Sequence, residues 1–178
     1  ANINDDSCDY NCHDNGDYSL SFDGDGSSVI DLLNFEFEEV DSITFSLDFN
    51  LDNFIYQSDH NHIFDFEGQN IRYTLVAGLD YIEMRFEGYN ISHRFEATPL
   101  DSKWHNIIIQ STSNTLNIIY DGSLVVSETW LEPLVSHGYV PHDVYGTYIG
   151  ANELDSYPYY IKGKLDNFII SDKILSYN

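Results

Sequence analysis

Apolar and polar residues alternate with a period of two through most of this sequence, and a helical period of 3.6 is nearly absent. Ile43, Phe45, Leu47 and Phe49 interleave with Thr44, Ser46 and Asp48. That pattern sets one face of an extended chain against a core and the other toward water. Ile82, Met84 and Phe86 repeat it, and the runs 73–76 and 116–120 add further short strands. Turn dipeptides punctuate them: Asp23-Gly24, Glu67-Gly68, Glu87-Gly88, Asp121-Gly122 and His137-Gly138. Many short strands with such turns predict an all-β chain, built as a two-sheet antiparallel sandwich or barrel. Residues 1–16, rich in Asp and Asn, read as an N-terminal arm, and 17–178 as one domain. The stretch 127–145 loses the alternation while carrying Trp130, His137, Tyr139, His142 and Tyr145, and it reads as a long, functional connection.

Charge narrows the partners. Thirty acidic residues face seven basic ones, for a formal net charge of −23. Nucleic-acid phosphates need a basic surface, so they are excluded as partners, and anionic polysaccharides should be repelled. Acidity of this kind reads first as solubility in a salty medium and second as a cation-binding surface. No apolar run approaches the ~18 residues of a membrane span. The two cysteines, Cys8 and Cys12, lack the spacing of a redox or zinc motif; a disulfide between them fits an exported protein. The chain, which opens on Ala1 with neither an initiator Met nor a leader, reads as a mature protein or an excised domain. Secreted or cell-surface localisation is the expectation.

Four segments then converge on a family. They are Leu20-Ser21-Phe22-Asp23-Gly24 with Val29, the strand from Trp104 and His105 to Ile109, the run Thr115-Leu116-Asn117-Ile118-Ile119-Tyr120-Asp121-Gly122, and a closing pair. The closing pair is Tyr148-Ile149-Gly150 followed, after a variable loop, by Gly163-Lys164-Leu165-Asp166-Asn167-Phe168. In this order they resemble the laminin-G-like, concanavalin A-like lectin/glucanase jelly roll, with likeness to its bacterial and pentraxin-like members. The resemblance implies a jelly roll, and period-2 placement in these segments predicts that Phe45, Leu47, Trp104, Ile107, Ile109, Leu116, Ile118, Phe168 and Ile170 are largely buried. The resemblance also implies three candidate roles: lectin, adhesion module of a cell-surface protein, or glycosidase or lyase.

Catalysis lacks its residues. Glycoside cleavage needs two carboxylates at a defined separation. The nearest candidates, Glu36 and Glu38, and Glu83 and Glu87, do not follow the family's order and read as solvated strand faces. His93, Arg94 and Glu96 only faintly echo a lyase. His60 and His62, two apart beside Asp59 and Asp65, have zinc-like spacing but no marked third ligand. On alternation they share a face with Phe64 and Phe66. His105 reads as structural. Fourteen tyrosines are the larger excess. Tyr139, Tyr157, Tyr159 and Tyr160 fall in inferred loops with Asn152 and Asp155, where flat rings and acceptors suit a neutral saccharide; packing of the loops over the sheet is the alternative. Asp166 is the remaining anomaly. By alternation it shares a face with Phe168 and Ile170 near a rim, where a carboxylate needs compensation. The family's structural calcium, tying the opening strand to the closing one, would draw Asp23, Asp25 and Asp166 together. The alternative is that Asp166 caps nearby backbone amides. The reading is a non-enzymatic, exported, glycan-binding jelly roll with a structural calcium.

Overall fold

The computed structural model describes residues 19–32, 35, 37–53, 60–67, 72–87, 91–129, 137–139, 147–151 and 159–175. The chain enters through β1 (Leu20–Asp23), β2 (Ile30–Asp31) and β3 (Phe37–Val40), then the long β4 (Ser42–Leu51). A meander follows: β5 (His60–Glu67), β6 (Arg72–Gly78), β7 (Tyr81–Glu87) and β8 (Ile91–Glu96). A second runs through β9 (Trp104–Thr112), β10 (Thr115–Tyr120) and β11 (Ser123–Thr129). The chain closes with β12 (His137–Tyr139), β13 (Thr147–Ile149) and β14 (Lys162–Ser171). No helix occurs among the described residues.

Two antiparallel six-stranded sheets result, one ordered β1-β14-β4-β9-β10-β11 and the other β2-β13-β5-β6-β7-β8. A small third sheet pairs β12 with β3, so part of the stretch expected to be irregular is a strand that sets Tyr139 opposite Phe37. Between the large sheets lies one core. Phe45 of the first stacks on Phe64 of the second at 5.2 Å and meets Tyr73 at 5.4 Å, all three fully buried. Leu47, Ile107, Ile109, Leu116 and Ile118 are also fully buried, as alternation requires. Each such side chain contributes about 1.5–3 kcal/mol on leaving water.

Three expected core residues behave differently. Phe168 and Ile170 are half-buried but pack against the core. Trp104 is 49% exposed, which corrects its placement in the core. The reason is parity. Ile107 and Ile109 point inward from β9, so Trp104, Asn106 and Ile108 point outward.

Besides a bulge at Val125 of β11, two one-residue bulges shift the phase of strands that bear on the site. In β14, Asp166 faces Asp48 and Ile169 faces Ser46, so Asn167 and Phe168 span one residue of β4, with Asn167 at φ 49°. Leu165 before the bulge and Phe168 and Ile170 after it therefore all turn inward, and Asp166 does not share their face. In β5, His62 faces Val76 and Phe64 faces Leu75, leaving Ile63 as the extra residue. Phe64 and Phe66 line the core, while His62 and Asp65 take the opposite face; this corrects the expected alignment of the histidines with the phenylalanines.

Backbone geometry pins both site-bearing strands. Gly163, at φ 142°, sits so tightly on β4 that a methyl group there would lie 2.2 Å from the Asn50 carbonyl oxygen. The β10–β11 hairpin turns on Asp121 (φ 48°) and Gly122 (φ 74°), the two left-handed residues of the tight turn expected there. Beyond β14 the chain folds back over the outer face of the first sheet. Ser42, Thr44 and Gln110 donate side-chain bonds to the carbonyls of Asp172, Lys173 and Leu175. One half of that face is thereby covered, and no described segment covers the other half.

Candidate functional site

The open half carries a continuous polar row across three strands and the β10–β11 turn. Asp166 of β14 faces Asp48 of β4, which faces Asn106 of β9, whose backbone N–H in turn donates to the Asp121 carboxylate at 2.9 Å. Opposed carboxylates are unfavourable in a sheet. Two amides moderate this pair: Asn106 and Asn167 each donate to one oxygen of Asp48 at 2.6 Å. Asp166 accepts the Asn167 N–H at 2.7 Å, so it caps its own bulge, as the alternative to a metal required. Trp104, two residues from Asn106 on the same face of β9, stands beside this row, opposite Asn50 of β4. With His105 these residues enclose a cavity of about 340 Å³. Its lining holds three carboxylates and an indole, and no Lys or Arg.

His105 fastens the site to the scaffold. Nδ1 lies 2.8 Å from Asp121 and Nε2 lies 3.0 Å from Asp101, while the ring stacks on Tyr120 at 5.3 Å. Carboxylates only accept, so both contacts are made when both ring nitrogens carry protons. The Lys103 ammonium, then His105, hold Asp101 well below the usual carboxylate range. The expectation of a structural His105 thus gains a mechanism: it ties the hairpin turn to the loop before β9.

The residues expected to hold calcium are dispersed. Asp23 accepts from the Ser27 hydroxyl and from the Asp25 N–H, and these bonds, Ser27 first, hold its carboxyl well below the ordinary range. Asp25 in turn accepts the Ser27 N–H. Strand pairing sets Asp23 opposite Lys162, four residues along β14 from Asp166, or about 13 Å at strand spacing. The three aspartates do not fit a single ion. Among the described residues no group of three or more His, Cys, Asp or Glu is placed to hold a metal.

The tyrosine site is only partly in view. Asn152, Asp155 and Tyr157, like Cys8 and Cys12 and the 1–16 arm, lie outside the described residues. Tyr139 lies on β12 rather than in a loop. Tyr159 packs against the outer-face histidines of the second sheet, 5.1 Å from His60 and 5.0 Å from His62, which themselves lie 5.4 Å apart. Tyr160 covers Gly26, where a methyl group would lie 2.2 Å from its ring. Both rings are half-buried and pack on the scaffold.

That second sheet has a different electrostatic character. The chain's three arginines, Arg72, Arg85 and Arg94, stand on its adjacent strands β6, β7 and β8, on the outer face. Asp65, 2% exposed, receives Arg72 through Nε at 2.7 Å and a terminal nitrogen at 2.5 Å, and Thr74 Oγ1 at 3.0 Å. Burial would raise its pKa, but the Arg72 hydrogen bonds, with His62 3.6 Å away, override that and hold it below the usual value. Burial pushes His62 down. Glu83, one of the carboxylates weighed for catalysis, is held by Arg85 at 2.9 Å and by the Ser92 hydroxyl.

Sequence reasoning missed Asp48, Asn106 and the exposure of Trp104. The signal was present, since Asp48 and Asn106 both fall on the polar phase of their strands.

Solved structures share the fold. The chain matches mouse laminin α1 chain, domains LG4-5, with a TM-score of 0.62 at 14% identity over 86% of its length, spanning 40% of that chain. It matches the LG1-3 region of the laminin α2 chain with a TM-score of 0.58 at 12% identity, covering 85% of this chain and 30% of that one. The CBM40 of Ruminococcus gnavus IT-sialidase, bound to α2,3 sialyllactose, gives 0.58 at 11% identity, covering 90% of this chain and 92% of that one. The laminin-G-like jelly roll implied by the four motifs is therefore the fold. By sequence, no family model and no curated protein matches.

Proposed function

We propose that this chain is a non-catalytic carbohydrate-binding module of an exported protein, taking a neutral saccharide against Trp104 and the row from Asp166 to Asp121. The observation that carries this reading is the half-exposed indole beside a row of acceptors. A flat aromatic face takes the C–H side of a pyranose, and carboxylates and amide oxygens take its hydroxyls. Asp166 has one carboxylate oxygen with no partner among the described residues, positioned to accept from a ligand. Three carboxylates at the site oppose an acidic sugar, so the sialoside of the Ruminococcus gnavus module is not the ligand class expected here.

Asp48 is not arranged as the general acid of a hydrolytic pair. A general acid must hold a proton to give, and both oxygens of Asp48 are occupied as acceptors of amide N–H groups. A second reading, an adhesion module, draws on β11, which ends its sheet among the described strands and exposes Leu124 and Val125.

A glycan array followed by titration calorimetry tests the proposal. Hits confined to neutral glycans, weakened about tenfold or more by Trp104→Ala, are expected. Silence on every neutral glycan refutes it and favours adhesion.

A further inference from the structure

A second cavity lies across the His105–Asp121 wall from the first. Its volume is about 620 Å³, and Asp80, Glu96, Thr98 and Tyr120 line it together with His105 and Asp121. It therefore bridges the two sheets, from the end of β8 to the β10–β11 turn. The wall between the cavities is low, because the Asp121 side chain is 46% exposed. Beneath the wall, Phe95, Tyr120 and His105 form a run of aromatic rings at 5.6 and 5.3 Å.

Reach decides what such a surface can hold. From Asp166 to Asp121 the polar row crosses three strand spacings, about 14 Å, and the second cavity begins only beyond that point. Each cavity alone has the size of a small-ligand site. One sugar ring seated on Trp104 leaves the second cavity empty, whereas a chain of sugars crossing the wall fills both.

We infer that the second cavity is a further subsite of the same binding site, so that the module takes an uncharged oligosaccharide chain laid over the His105–Asp121 wall rather than a single sugar. This inference rests on the proposed glycan-binding function. Glu96 and Asp80 supply acceptors at the far end, and Thr98 supplies a hydroxyl that both donates and accepts. The Tyr120 hydroxyl is buried in this wall with no hydrogen-bond partner among the described residues. Burial, then Asp121, raises its pKa, so it stays a neutral hydroxyl throughout the working pH range. Among the described residues no Lys or Arg lines either cavity, and Arg94, 3.8 Å from Asp80 at the far end, is already paired with that carboxylate, which disfavours acidic chains.

The test uses laminari-, cello- and manno-oligosaccharides of one to five units, titrated against the whole chain. In the wild type, affinity for at least one series rises about tenfold or more between the shortest bound member and the longest. Thr98→Trp, an exposed loop position whose indole would fill the second cavity, removes that rise while leaving the short members unchanged. Glu96→Gln weakens only the longer members, and provides the reading if Thr98→Trp melts early. Affinity independent of length, or a length dependence that survives both variants while Trp104→Ala still weakens binding, overturns the subsite and leaves the glycan reading intact. No binding of any member by the wild type at millimolar concentration overturns both.

Discussion

Replacing Arg72 by Leu should expose how much of the second sheet depends on one ion pair. Asp65 is 2% exposed and takes two bonds from Arg72, whose own side chain is 14% exposed. Leu fills the space of the stem but leaves the carboxylate buried with only Thr74 and His62 as neighbours. Stranding a buried charge costs about 3–5 kcal/mol. At roughly 2–4 °C per kcal/mol for a chain of this size, the melting temperature at pH 7 should fall by about 6–20 °C. The pH dependence supplies the sharper signature. In the wild type the folded pKa of Asp65 lies below its unfolded value of about 3.9. The pair's contribution is thus complete above that value and fades as the pH falls through the folded pKa. In the variant, burial is no longer overridden and the folded pKa rises above the unfolded one, so the penalty grows as the pH climbs past about 4. The stability gap between the proteins should be widest near neutrality and narrow toward pH 3.5. Thermal melts by near-ultraviolet circular dichroism from pH 3.5 to 7.5 measure it, and the common background of other carboxylates cancels in the difference. Adding Asp65→Asn to Arg72→Leu should restore part of the loss, because a neutral amide costs less to bury. A gap below about 2 °C, or one that is flat with pH, would refute the reasoning.

Two further outcomes separate the expected sites. Because Asp23 is occupied by Ser27 and Asp25 and stands four residues along β14 from Asp166, melting curves in chelator and in millimolar calcium should coincide. A calcium-dependent rise abolished by Asp166→Asn would restore the shared ion. Tyr159→Ala removes two ring stacks worth about 1–3 kcal/mol together, so it should lower the melting temperature by about 2–12 °C. It should leave glycan affinity unchanged in calorimetry; weaker binding at unchanged stability would return the site to the tyrosine loop.

Alternation carried the fold a long way. Phe45, Leu47, Ile107, Ile109, Leu116 and Ile118 face the core because period-2 burial is a local property that a sequence displays directly. The site was less legible, for three physical reasons. A bulge inserts one residue and inverts the faces beyond it, and nothing in the side chains of Ile63 or Asn167 announces the insertion. The four-residue row from Asp166 to Asp121 draws on strands far apart in sequence, so its members meet only once register is set. Trp104 differs for another reason: grouping it with Ile107 and Ile109 on one face overlooks the odd, three-residue step that sets it outward.

Strand β11 has a consequence for the behaviour of the protein in solution. Leu124 is 53% exposed and Val125 38%, on the last described strand of its sheet, and the run from Ser123 to Val126 carries no charge and no proline. Such an edge invites pairing with another molecule. The bulge at Val125 and the charge of Glu128 blunt this edge locally, and the wider guard is the long-range repulsion between molecules each carrying −23 charges. That guard is set by the solvent. The screening length is about 10 Å at 0.1 M salt and about 3 Å at 1 M, so concentrated brine lets two edges approach to bonding distance before either molecule registers the other's charge. Colloidal stability of this protein is accordingly greatest in dilute buffer, and light scattering should show self-association beginning as the ionic strength climbs.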